Sequence, residues 1–174
     1  MGNTVLALLG CLLLTTTIVS AQTKAQLRDS ESLRGLKGLR LVIGFGRAEA
    51  MDEAQRPVVL KLLQSDAKAK FLKAGIPLLE FAQDIENAPG SPQFFVTITM
   101  DKPNGHVYPV VTYSRLVQKA RLSSDPSIEL IVSTWETQGI GVYELTNVEM
   151  LRRQVGFDID LFIESYLEAN PKIK

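Results

Sequence analysis

The chain has 174 residues, enough for one domain with a proper core, and its 45% hydrophobic and 22% charged content is that of a globular protein. Nineteen Lys and Arg balance nineteen Asp and Glu, which removes the electrostatic reason to expect nucleic acid or an anionic membrane surface as partner. One cysteine, Cys11, and one histidine, His106, are too few for a disulfide framework, a thiolate metal site or a His-rich centre, so neither cofactor nor metal is expected.

From Val5 to Val19 the sequence is almost wholly apolar or Thr, and it ends Val19-Ser20-Ala21 before polar Gln22. That is the small-x-small form cut by a signal peptidase, so export and removal of residues 1–21 are expected, leaving no transmembrane span. An uncleaved anchor is a rival reading, but the run is at the short edge of the roughly 20 residues that span a bilayer. A lipoprotein acylated at Cys11 of Leu8-Leu9-Gly10-Cys11 is another, but a second apolar stretch follows where a polar tether belongs. Without Cys11 the mature chain holds no thiol. No asparagine begins an N-x-Ser/Thr sequon, and an exported chain with neither disulfide nor glycan acceptor points to a bacterial periplasm or cell surface.

Residues 22–38 are polar, with two spaced glycines, and read as a flexible leader before a single domain over 39–170. "RLVIGFGRAEA" follows. Residues 39–45 read as a buried strand that ends at Gly44 and Gly46. Over 58–74, Val59, Leu63, Ala67, Phe71 and Ala74 recur at steps of three and four, one face of a helix, with Pro57 in its first turn and Gly75 past its end. Residues 76–81 read as a second strand, completing a β-α-β unit with parallel strands.

After a loop at 87–93, "FFVTITM", "DKPNGH" and "VYPVVTYSRLV" form a hairpin, with Asn104-Gly105 as a two-residue turn. Folding about that turn sets Ile98 opposite Val111, Val96 opposite Tyr113 and Thr97 opposite Thr112. Phe94, Val96, Ile98 and Met100 then share a greasy face with Pro109, Val111 and Tyr113. Phe95, Thr97 and Thr99 share a hydroxyl-rich one with Tyr108, Val110, Thr112 and Ser114. "SIELIVSTWET" alternates as a further strand, with Ser133 and Trp135 on one side and a loop at 138–143 after it. A closing helix runs from Asn147, capped by Thr146 and Glu149, with the stripe Val148, Leu151, Val155, Ile159, Phe162 and Tyr166, and stops at Pro171. The predicted fold is a mixed α/β open-faced sandwich, order β-α-β-β-β-β-α, with two helices on one sheet face.

No catalytic constellation emerges. A dinucleotide fingerprint needs a third glycine where Glu49 stands, and Glu49, Asp52 and Glu53 repel phosphate. His106 and Asp101 read as polar residues of the hairpin end. Asp158-Ile159-Asp160 and Asp52-Glu53 lack the glycine and distal glutamate of a calcium loop and read as solvated faces. The candidate site is the hydroxyl and aromatic sheet face: Thr97, Thr99, Tyr108, Thr112, Ser114 and Trp135, with Phe95 and Ser133 beside them. Such a face stacks on a sugar or adds a partner strand. The competing structural reading is simple β-propensity, with Trp135 partly covered by 138–143.

"SLRGLKGLRLVIGF", "FLKAGIPLLE", "SPQFFVTI" and "DPSIELIVSTWETQGIG" resemble segments of small exported bacterial proteins of unassigned function. In element order the chain is similar to periplasmic accessory domains such as those of the curli secretion channel and of penicillin-binding protein activators. The resemblance carries packing and turns and implies no site residues. The expected function is a non-catalytic extracytoplasmic domain that binds an envelope protein or glycan. The alternatives are a periplasmic carboxylate-dependent hydrolase and a structural or assembly subunit.

Overall fold

The computed structural model describes residues 30–101, 108–143 and 148–171. The signal-like run, residues 22–29, Asn104-Gly105, His106 and Thr146 lie outside them. The first apolar run forms β1 (Arg40–Ala48), which continues through both glycines and takes up Gly46 in a bulge between Phe45 and Arg47. A Cβ on Gly46 would stand 2.9 Å from Thr97 Cγ2. Close approach of the neighbouring strand accounts for glycine at that position.

Helix α1 (Arg56–Ala74) buries Val59, Leu63, Ala67 and Phe71, the predicted stripe, with Pro57 in its first turn. Gly75 ends it at φ 75°, and its N–H and that of Ile76 return to Leu72 and Phe71 at 3.0 Å each, the left-handed cap that favours glycine. Residues 76–81 are not the expected strand. Leu39 donates to the Pro77 carbonyl at 3.1 Å and accepts from Leu79 at 2.8 Å, a single bridge. Pro77 has no N–H to extend the ladder, and the short helix α2 (Ala82–Asn87) begins directly afterwards. The parallel partner of β1 is instead β2 (Gln93–Met100).

Strands β3 (Tyr108–Arg121) and β4 (Glu129–Tyr143) complete an antiparallel meander, giving one sheet ordered β1-β2-β3-β4. β4 includes the stretch expected as a loop: Gln138 pairs with Tyr113 and Gly141 with Val110. Helix α3 (Val148–Ala169) crosses β3 and β4 and packs beside α1. The element order is therefore β-α-α-β-β-β-α, the expected mixed α/β class with one strand fewer.

The core lies between the helices and one sheet face. Phe162 of α3 sits 4.5 Å from Phe94, 5.1 Å from Trp135 and 5.9 Å from Phe71, ring centre to ring centre. These contacts tie β2, β4, α1 and α3 together. Within the span read as a leader, residues 30–38 join this core: Leu33 and Leu36 are buried. Asn170 holds that segment to the end of α3, accepting from Gly35 N–H at 2.7 Å and donating to the Leu33 carbonyl at 2.9 Å. Among the described residues no helix is long and apolar enough to cross a membrane.

Candidate functional site

Thr97 and Thr99 lie on the open face of the sheet; Tyr108, Thr112, Ser114 and Trp135 lie on the helix side. The division comes from a one-residue difference in register. Ile98 pairs with Thr112, Val96 with Ser114 and Thr97 with Tyr113, so every β3 side chain changes face relative to the two-residue-turn prediction. Asp101 N–H still reaches the Pro109 carbonyl at 3.4 Å. That register is one residue away from the one a regular two-residue turn at Asn104-Gly105 sets, and the turn itself lies outside the described residues. The physical preference is visible further along β3. The predicted register buries Arg115 and exposes Leu116, whereas the observed one leaves Leu116 fully buried and Arg115 in solvent, avoiding an unpaired charge in the core. A second irregularity, between Leu116 and Val117, skips Thr134 and turns Trp135 inward. Trp135 is 4% exposed and donates its Nε1–H to Ser165 Oγ at 3.2 Å.

Thr112 and Ser114 meet a carboxylate that the sequence reading placed in solvent. Asp158, on the core stripe of α3, is 1% exposed. Its Oδ2 accepts from Ser114 Oγ at 3.0 Å and its Oδ1 from Gln154 Nε2 at 3.3 Å. Burial pushes its pKa up, and hydrogen bonds from Thr112, Ser114 and Gln154 oppose that in part. Gly139 makes room: a Cβ there would collide with the Gln154 side chain and stand 2.6 Å from Thr112 Oγ1. The cluster is satisfied and sealed, so it fixes how α3 seats on the sheet and offers no substrate access. A signal for it existed. Asp158 and Ser165 fall on the same helical stripe as Leu151, Val155, Ile159 and Phe162.

The open face carries a different set. Phe95 and Tyr113 lie half-buried on neighbouring strands, and the Arg115 guanidinium carbon is 5.9 Å from the first ring centre and 5.6 Å from the second, within cation–π range. Tyr113 donates to Glu136 Oε2 at 2.5 Å, which holds the phenol's pKa above its usual range. Ser133, as expected, is on this face and donates to the same carboxylate at 3.3 Å. Toward the ends of β3 and β4 the face turns aliphatic, with Ile140 72% and Val142 61% exposed. No described element covers it.

A groove of about 560 Å³ runs between α1 and α3 over Leu63, Ala67 and Ile159. Its three carboxylates each meet a cation: Asp66 and Glu149 meet Arg152 at 2.6 and 2.9 Å, and Asp160 meets Lys70 at 2.6 Å. Asp160 thus has the surface role expected of it. Among the described residues no group of three His, Cys, Asp or Glu side chains converges as for a metal ion.

These features define an open-faced α/β domain with a sealed polar cluster under its helices and an uncovered amphipathic sheet. No protein-family model and no curated protein matches the sequence. Among solved structures the chain is similar to a PelC dodecamer, a single-substitution variant from Paraburkholderia phytofirmans, at 10% identity and a TM-score of 0.42, over 74% of this chain and 90% of that one. At that level the likeness carries no inference about what this chain does.

Proposed function

We propose that the protein is an exported, non-catalytic domain whose open sheet face docks onto a component of the cell envelope. The observation behind this is the asymmetry of the sheet. One face is sealed by α1 and α3, while the other leaves Ile140 72% and Val142 61% exposed beside the Phe95, Tyr113 and Arg115 cluster. Uncovered aliphatic side chains next to rings and a planar cation mark an interaction surface. The aliphatic part favours a protein over a glycan, because sugar stacking uses rings and hydroxyls and leaves β-branched side chains unused. The reading of export comes from the apolar run ending Val19-Ser20-Ala21.

The test is capture from envelope extract by the immobilised full chain. Tyr113→Ala combined with Ile140→Lys is expected to abolish capture without moving the melting temperature by more than a few degrees, since both side chains are off the core. Pretreating the extract with protease removes the signal if the partner is a protein; glycan-degrading enzymes remove it if the partner is a glycan. Equal capture by the double variant would dismiss the open face as the docking surface.

A further inference from the structure

From that reading of the open face we infer that its β3–β4 half takes a second copy of this chain, packed face to face about a two-fold axis along the seam between the two strands. The inference rests on the cross-strand pattern. On the open face, Arg115 stands beside Glu136 and Arg121 beside Glu129, so β3 carries a row of cations and β4 a row of anions. A two-fold along the seam lays β3 of one copy over β4 of the other at the same level. Each residue then faces its own cross-strand partner from the second copy. Arg115 lies over Glu136 and Arg121 over Glu129.

The uncharged levels match under the same operation. Val111 pairs with Ile140 and Pro109 with Val142, so aliphatic groups meet aliphatic groups. Lys119 pairs with Ile131, which is 76% exposed, and the lysine stem can cover it while the ammonium keeps its ion pair with Glu129 of its own chain at 3.4 Å. An interface of this kind is isologous, each copy contributing the same patch.

Strand length gives a second, independent reason. β2 stops pairing at Val117 and the Gly90 carbonyl still accepts from Lys119 N–H at 2.7 Å, but beyond that β3 and β4 continue as a two-stranded ribbon to Arg121 and Glu129. A lone two-stranded ribbon is marginal in water, and a second copy laid along it supplies the missing layer. Strands of 14 and 15 residues rise about 3.3 Å per residue and stand about 4.8 Å apart. The strip they offer is about 500 Å² per copy, near the lower limit for specific association. A reversible dimer of micromolar affinity is the expectation.

Two charge-row variants of the full 174-residue chain test this. Arg115→Glu with Arg121→Glu makes both rows acidic; Glu129→Lys with Glu136→Lys makes both basic. Wild type is expected to dimerise with concentration in sedimentation velocity. Each variant alone should self-associate at least tenfold more weakly while keeping its circular dichroism spectrum. An equimolar mixture should recover a one-to-one heterodimer, which no loss of folding can imitate. The inference is overturned if wild type stays monomeric at millimolar concentration, if either variant associates like wild type, or if the mixture remains monomeric. The dimer covers Tyr113 and Ile140 as well, so envelope capture is read at nanomolar concentration, where the chain is monomeric, and loss of capture by the Tyr113 and Ile140 double variant there reports on docking alone.

Discussion

Asp158→Asn should stabilise this protein at neutral pH and do nothing for it in acid. The carboxylate is 1% exposed, and its partners are hydroxyls from Thr112 and Ser114 and the amide of Gln154, with no cation among them. Taking an ion out of water costs several kcal/mol after relaxation. Hydrogen bonds to a charged acceptor return about 1.5–3 kcal/mol each. Because burial outweighs the three bonds, the pKa of Asp158 is raised in the folded state. The folded protein therefore takes up this proton at a higher pH than the unfolded chain, whose Asp titrates near 3.9. Above the folded value the ionised group subtracts from stability; as pH falls through it the loss is recovered, and below about 3.9 both states are protonated and nothing more changes. Asparagine has the same shape and no charge. Its oxygen can accept from Ser114, and rotation of the Gln154 amide presents an oxygen to the new NH₂. The expected gain is about 1 kcal/mol at pH 7, or about 2–4 °C in Tm for a domain of this size. Thermal unfolding by circular dichroism at pH 7 and at pH 4 checks it. A variant that melts lower at pH 7, or that is shifted equally at both pH values, would refute the account of Asp158 as a buried charge under net strain.

Two further substitutions probe the same layer. Gly139→Ala should lose about 1–3 kcal/mol, since its Cβ meets the Gln154 side chain and Thr112 Oγ1; a denaturant midpoint unchanged from wild type would show that this strand does not lie against α3 as described. Trp135→Ala should act on stability and not directly on docking, because the indole is 4% exposed and in contact with Phe162. It should cost about 3–5 kcal/mol, a large part of the roughly 5–15 kcal/mol that holds a domain together. Urea unfolding followed by far-UV circular dichroism measures the loss directly.

Helices were the legible part of this sequence. Val59, Leu63, Ala67 and Phe71 are all buried as their spacing predicts, because a helical face is set by local period and needs no knowledge of the partner. Strand identity was less legible. Residues 76–81 are apolar enough to read as a strand, yet Pro77 and the helix starting at Ala82 reduce them to one bridge. The side on which each β3 residue falls was not legible at all from the turn. Alternation gives two sets of side chains, and only the pairing register says which set goes inside. A turn chosen as Asn104-Gly105 inverted the answer for Thr112 and Ser114. The sequence did hold a corrective: burying Val110 and Leu116 keeps Arg115 out of the core, and Asp158 on the α3 stripe needs donors opposite it.

That inversion connects the two features of the site. With Thr112 and Ser114 turned in to meet Asp158, β3 presents Val111, Tyr113 and Arg115 to solvent, and Tyr113 and Arg115 come beside Gln138 and Glu136 of β4. The polar cluster under α3 resists a register slip, because moving β3 by one residue would strip a buried carboxylate of two hydroxyl donors and bring Arg115 inward. A buried polar network can in this way secure a surface it never touches. The bulge at Thr134 acts similarly on β4, turning Trp135 into the core while leaving Glu136 and Glu129 on the open side as one acidic row. If the open face is where this protein works, its chemistry is decided one layer down, by Asp158 and Trp135 holding two strands in phase.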